Sequence, residues 1–268
     1  MDKLKGKVAV VTGGAGGIGR AYVIRLALLG ADVAIVDIDL DVASRYGEIL
    51  SAESVMEEVR QLGGRSIGIQ ADLSQQDAAR NAIRKISEEL GQIDILVNNA
   101  GGAITPIDRS KASNTPFEDT EKLFAVNFYS MVHCCQAAVP LMRQQGGAIV
   151  NVATNGVDRT PADGRLAMYN SAKAAVIRYT ETLAVELGPD GVRVNCISPG
   201  IIESARIKAQ AASRNLGTEM HANATPMRRL GTPEDCAGVL EFLVTDLSRY
   251  VTGECIRVSG GATLVSSI

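Results

Sequence analysis

Tyr169 and Lys173 stand four positions apart in the stretch AMYNSAKAAV, residues 167–176, with only Asn, Ser and Ala between them. Residues i and i+4 share one face of a helix, so a phenol and an ammonium can lie side by side. A solvated surface pair would look the same. The chemical alternative is that the nearby cation favours tyrosinate and lowers a pKa that starts near ~10. A phenol tuned in that way can give a proton to a ketone or take one from an alcohol.

A second stretch able to do chemistry is TGGAGGIGR, residues 12–20, directly after the apolar run KVAVV. Glycines at the end of a strand let backbone amides approach a pyrophosphate, and a following helix N-terminus favours its negative charge. The glycines parse in two ways, as Gly14-x-Gly16-x-x-Gly19 or as Gly13-x-x-x-Gly17-x-Gly19. Asp37 ends the next apolar run, 18 residues after Gly19, close to the spacing expected for a carboxylate on an adenosine ribose. Asp39 and Asp41 compete for that role. A carboxylate there repels a 2′-phosphate, and neither Gly16 nor Ile38 supplies a cation to hold one. The residues therefore favour NAD over NADP.

These groups need a frame. Short β-rich runs recur at 7–13, 32–38, 66–72, 94–101, 148–154, 192–200 and 255–261, and amphipathic helical patterns lie between them, notably at 18–30, 75–91 and 171–188. Near-continuous apolar strands alternating with helices imply a parallel sheet covered on both faces. The expected fold is a single doubly wound Rossmann-type α/β domain over residues 1–268, with 201–230 as a substrate-loop region. Gly30, Gly91 and Gly188 each follow a helical pattern, where a left-handed cap suits glycine. Residues 39–65 are longer than a plain connection and should carry extra structure. The composition excludes several classes. A net charge of −3 offers nothing to nucleic acid or to an anionic membrane, and no apolar run is long enough to span a bilayer. The charged start lacks a signal-peptide layout. Five cysteines without C-x-x-C spacing read as reduced thiols, so a cytoplasmic setting is expected. His133 beside Cys134 and Cys135 finds no second ligand cluster, and no metal is expected.

Taken together, Thr12-Gly13-x-x-x-Gly17-Ile18-Gly19, Asn98-Asn99-Ala100-Gly101, Tyr169-x-x-x-Lys173 and Pro199-Gly200 resemble the classical short-chain dehydrogenases/reductases over essentially the whole chain. The resemblance selects the second glycine parse. It implies that Tyr169 is the general acid/base, that Lys173 binds the nicotinamide ribose and stabilises the tyrosinate, and that Asn127 helps hold a water in a proton relay. It also implies that Asp72 and Leu73 flank the adenine, that Asn99, Ala100 and Gly101 line the cofactor, and that Pro199, Gly200 and Ile202 lie along the nicotinamide. The family's serine is replaced by Thr154, with Asn155 and Thr160 as alternatives because the segment up to Tyr169 is about two residues longer than the usual pattern. Ser204 stands where the family often has threonine. Residues 102–117, 155–168 and 203–225 are expected to shape the pocket, where Arg206, Lys208 and His221 either meet an acidic substrate or form a solvated face. The implied activity is NAD-dependent interconversion of a secondary alcohol and a ketone, in a homotetramer. A 3-oxoacyl thioester reductase and a non-catalytic dinucleotide sensor are the alternatives.

Overall fold

The computed structural model describes residues 3–214 and 217–265. The first half of the chain alternates β1 (Val8–Thr12), α1 (Gly17–Leu28), β2 (Asp32–Asp37), two short helices α2 (Val42–Arg45) and α3 (Val55–Gln61), β3 (Ser66–Gln70) and α4 (Gln76–Leu90). The second half continues with β4 (Ile95–Asn98), α5 (Phe117–Phe124), α6 (Ser130–Met142), β5 (Gly147–Val152), α7 (Ala167–Leu187), β6 (Val192–Pro199), α8 (Ala205–Arg214), α9 (Glu219–Ala224), α10 (Pro233–Val244) and β7 (Cys255–Val258). The seven strands form one parallel sheet in the order β3-β2-β1-β4-β5-β6-β7. Each expected strand is present.

The apolar runs are strands because both faces of the sheet are covered. β1 and β4 are buried along their whole length, so these strands need no polar alternation. One face packs on α4, α6 and α7 through Ile83, Ile86, Met131, Cys135, Val176 and Leu187. The other packs on α1, α3 and α10 through Tyr22, Leu26, Val59 and Leu240. With few aromatics, small aliphatic side chains fill both layers, as the composition implies.

After β1 the chain builds outward through β2 and β3, then returns to place β4 on the other side of β1. The crevice at that reversal lies beyond the carboxyl ends of β1 and β4, and in open sheets of this kind ligands bind there. Thr12 and Asn98 are in-register neighbours at those ends, so the glycine-rich turn and the Asn98–Gly101 turn leave the sheet side by side.

One expectation about helix caps is corrected. Gly30 (φ +94°) and Gly91 (φ +99°) do adopt positive φ after α1 and α4. Gly188 instead stays right-handed and starts a 3-10 turn, Gly188–Asp190, with Pro189 in its first turn. Proline prolongs the helical path, and the left-handed residue moves on to Gly191 (φ +70°).

Candidate active site

Thr12 organises the crevice. Its Oγ1 accepts from the N–H groups of Asn99 and Ala100, both at 3.1 Å. Asn99 Nδ2 reaches back to donate to the carbonyls of Gly13 (2.9 Å) and Thr12 (3.2 Å). Two adjacent turns are thereby stitched into one wall. Neighbouring Asn98 is buried and donates to Asn151 Oδ1 on β5 at 2.9 Å, so its role is inside the sheet.

The glycine-rich turn has the shape of a phosphate cradle. A Cβ on Gly19 would overlap the carbonyl oxygen of Gly13, so α1 can start against the turn only without a side chain there. Gly13 and Gly17 have φ of +63° and +56°, the left-handed region that side chains disfavour. A Cβ on Gly17 would lie 3.7 Å from Cβ of buried Ser204, which brings the segment after β6 to face the turn. Asp37 closes the adenosine end, with Oδ2 accepting from Ala15 N–H at 3.1 Å and Oδ1 from Asp39 N–H at 3.3 Å. Burial pushes its pKa up, while these backbone donors act to lower it. Ile38 beside it is exposed and uncharged. Asp72 is exposed and caps Ser74 N–H at 3.0 Å, while Leu73 is buried behind it. A cradle without Cβ atoms, followed by a carboxylate, fits the pyrophosphate and ribose of a dinucleotide.

The second half of the site comes from β5, β6 and α7. Lys173 is buried, and its Nζ donates to the carbonyl of Val152 at 2.7 Å. Burial pulls its pKa down to about 8, opposed in part by Cys196. Two residues beyond Val152, Thr154 begins a 3-10 turn (Asn155–Val157), and its Oγ1 accepts a long 3.5 Å bond from Gly156 N–H. That turn packs on α7 next to Tyr169, since a Cβ on Gly156 would overlap the Asn170 amide. Asn155 Nδ2 lies 3.5 Å from where a Gly200 Cβ would be, so Asn155 faces the end of β6. Gly200 itself donates to Val258 O at 2.9 Å, and Ile202 is buried beside Gly231. Thr160 lies further along, exposed.

Asn127 sits in a π-helical turn, Ala125–Tyr129, between α5 and α6. Single π turns interrupt helices mostly where a site needs the distortion. The side chain is fully engaged, with Oδ1 accepting from Gly102 N–H (2.8 Å) and Nδ2 donating to Gly102 O (3.0 Å) and Leu123 O (2.9 Å). It clamps the turn after β4 from below, and a Cβ on Gly101 would lie 2.5 Å from Oδ1. Tyr169 itself borders a shallow recess with Ala103, Thr105, Leu123, Leu166 and Met168. No charged side chain lines it.

Two positions of the site, Glu48 and Ser110, were not legible in the sequence. Glu48 accepts from Gly17 N–H at 2.7 Å and lies 3.6 Å from Arg20. Arg206 stacks its guanidinium over Gly102, where a Cβ would meet it at 2.9 Å. Ser110 contacts the start of α7. Glu48 and Ser110 lie in irregular segments, where no periodicity marks a partner, whereas Arg206, one of the cations expected near the pocket, stands in the first turn of α8. Lys208 pairs with Glu203 at 3.3 Å, and His221 contacts Thr218 at 2.7 Å, so both are engaged locally. Among the described residues no cluster of three or more metal-ligating side chains exists, and His133 Nδ1 lies 3.1 Å from the carbonyl of Leu73.

A doubly wound sheet with this crevice, cradle and Tyr-Lys helix defines a nucleotide-dependent oxidoreductase of the short-chain type. A family model described as enoyl-(acyl carrier protein) reductase matches residues 13–263. The chain is 44% identical to cyclohexanol dehydrogenase of Rhodococcus sp. (strain TK6) over 264 residues, 97% of each protein. Two solved structures are also similar. A short-chain type dehydrogenase/reductase from Mycobacterium marinum has a TM-score of 0.86 at 30% identity and 98% coverage of both chains. A 7α-hydroxysteroid dehydrogenase complexed with NADH and 7-oxo glycochenodeoxycholic acid has a TM-score of 0.82 at 31% identity, covering 97% of this chain and 95% of that one. The protein belongs to the classical short-chain dehydrogenase/reductase family. It is an oxidoreductase.

Proposed function

We propose that the protein interconverts a small, uncharged secondary alcohol and its ketone with NAD(H). The observation that carries this reading is the placement of Tyr169 at the mouth of an uncharged recess, one helical turn from buried Lys173. Similarity to a cyclohexanol dehydrogenase supports an alcohol as substrate, and a neighbour solved with NADH supports the cofactor. When bound, the nicotinamide supplies the hydride acceptor or donor. Gly13, Gly17, Ile18 and Gly19 would hold the pyrophosphate, Asp37 the adenosine ribose, and Asp72 and Leu73 the adenine. Asn99, Ala100, Gly101, Pro199, Gly200 and Ile202 would line the remainder.

Tyr169, as the tyrosinate that the Lys173 charge favours, takes the alcohol proton and becomes the neutral phenol, and in the reverse direction it returns that proton to the ketone oxygen. Thr154 donates its hydroxyl hydrogen to the substrate oxygen, oriented by the Gly156 N–H that its oxygen accepts. The Asn127 side chain holds the Gly102 backbone, so any water it holds for a proton relay meets its backbone carbonyl. A homotetramer in the cytoplasm is part of the same reading.

The test is reduction of NAD at 340 nm with a panel of secondary alcohols that includes cyclohexanol, for the original protein and Tyr169→Phe. Tyr169→Phe should lose about 10²-fold or more in turnover, as for a positioned acid/base, and keep NADH binding. Near-normal turnover in that variant would remove Tyr169 from the mechanism.

A further inference from the structure

Tyr169 occupies the third position of α7, in the first turn of the helix, where backbone N–H groups have no partners within the helix. A helix of this length ordinarily begins with an extended residue whose side chain caps those amides. Here the residue before the helix is Leu166, which has φ +63° and ψ +23°, makes no side-chain cap and adopts left-handed backbone at a position that is not glycine. Only one other non-glycine residue among those described, Arg228, has positive φ. For a side chain of this kind the left-handed region costs about 1–2 kcal/mol, so something must hold Leu166 there.

Ser110 holds it from another loop. Its Oγ accepts from Leu166 N–H at 3.3 Å, and its carbonyl accepts from Ala167 N–H at 3.0 Å, the first residue of α7. Ser110 is itself fixed, because its Oγ–H donates to Ile107 O at 2.8 Å and only 3% of it is exposed. The helix proper starts at the next bond, from Asn170 N–H to Leu166 O at 2.9 Å. Ser110, Leu166, Met168 and Tyr169 all border the same recess. One pair of backbone contacts thus fixes the turn that carries the phenol and places an apolar wall beside it.

We propose that Ser110 is a positioning residue that locks Leu166 in left-handed backbone, so that the turn bearing Tyr169 is held in its working place. This rests on Tyr169 being the acid/base of the proposed reaction.

The experiment uses Ser110→Ala, Leu166→Gly and the double variant, with cyclohexanol as the alcohol and NAD as cofactor. Losing the Oγ bond lets Leu166 leave its strained backbone, so kcat on cyclohexanol should fall about fivefold or more as the competent population shrinks. KM for NAD should stay put, because the cradle is untouched. Glycine reaches positive φ without a lock, so adding Ser110→Ala to Leu166→Gly should change kcat less than twofold to threefold, roughly within additivity error. Amide hydrogen exchange reads the lock without any substrate, and Ser110→Ala should speed exchange at Leu166, whose N–H loses its acceptor, while leaving the middle of α7 protected. The proposal is overturned if Ser110→Ala changes neither kcat nor Leu166 exchange, or if it costs as much with Gly at 166 as with Leu. Tyr169→Phe run in parallel separates the failures. Full activity in that variant sinks the acid/base reading, whereas its loss together with an unaffected Ser110→Ala sinks only the lock.

Discussion

The hydroxyl of Thr154, proposed to bind the substrate oxygen where the family pattern has serine, has a definite local job in the structure. It begins the 3-10 turn and accepts from Gly156 N–H, leaving its hydrogen to donate. Thr154→Ser keeps that arrangement and should retain activity within a fewfold, the cost of a looser rotamer. Thr154→Val keeps the shape but loses both bonds, and kcat/KM on the best alcohol should fall about tenfold or more. Equal activity of all three would pass the role to Asn155. Lys173 makes a second prediction at this scale. Burial holds its pKa at about 8, below the 10.5 of an exposed lysine. Between those values the unfolded chain binds more protons than the folded one, so stability rises with pH across that window. At lower pH the buried charge costs its full amount. Measured without cofactor and relative to Lys173→Met, the original protein should gain roughly 2 kcal/mol between pH 7 and pH 10. A flat difference in urea-unfolding free energy would show that the ammonium is not desolvated.

At the scale of elements, the long connection after β2 is built around an ion pair that the sequence did not reveal. Glu58 of α3 is 3% exposed and accepts from Arg20 of α1 through Nε (2.8 Å) and Nη2 (2.6 Å), and from Ser51 through its N–H (2.7 Å) and Oγ (2.8 Å). Arg20 also lies near Glu48, whose carboxylate reaches Gly17 N–H. The connection is therefore pinned at two points, Glu48 and Glu58, to the glycine-rich turn and the start of α1. Removing one partner of a buried pair strands the other charge. Glu58→Ala should cost about 3 kcal/mol, seen as a lower midpoint in thermal unfolding, and should weaken NADH binding as the turn loosens. A change below about 0.5 kcal/mol, the range of ordinary surface substitutions, would show that this network is not holding the connection. The π turn at Asn127 is an element of the same kind, a distortion of one helix that supports the turn after another strand.

For the whole molecule, the strand order places every part of the site at one edge of the sheet. The turns after β1 and β4, the loop after β5 and the segment after β6 all leave from carboxyl ends of parallel strands. A dinucleotide laid across that edge would touch all four, and would bind the folded chain alone. NADH at 100 times its Kd should then stabilise the protein by about 2.7 kcal/mol. NADPH at the same concentration should protect less, because its 2′-phosphate meets Asp37 with no cation at Ile38. Equal protection by both would contradict the role given to Asp37. Arg206, stacked on Gly102, stands at this same edge.

What the sequence determined by itself is local in origin. Apolar runs such as VAVV and ILVN can only be strands buried on both faces, and alternation with helices then requires parallel pairing. Glycines at 13, 17 and 19 and the four-residue spacing of Tyr169 and Lys173 are equally local, because a close backbone approach or a shared helix face is encoded within one turn. Tertiary structure decided what depends on residues distant in the chain. Lys173 reads as a surface cation in its helix, and it is buried only because β5 and β6 pack against that face. Helices α5, α6 and α10 were not singled out, since α6 and α10 carry apolar residues around more than one face. Glu48, Glu58 and Ser110 act across separations of 31, 38 and 56 residues, and nothing in composition or period records a hydrogen bond made that far away. Sequence spacing specifies which groups share an element. Only the packing of elements sets their distances, their burial and therefore their pKa values.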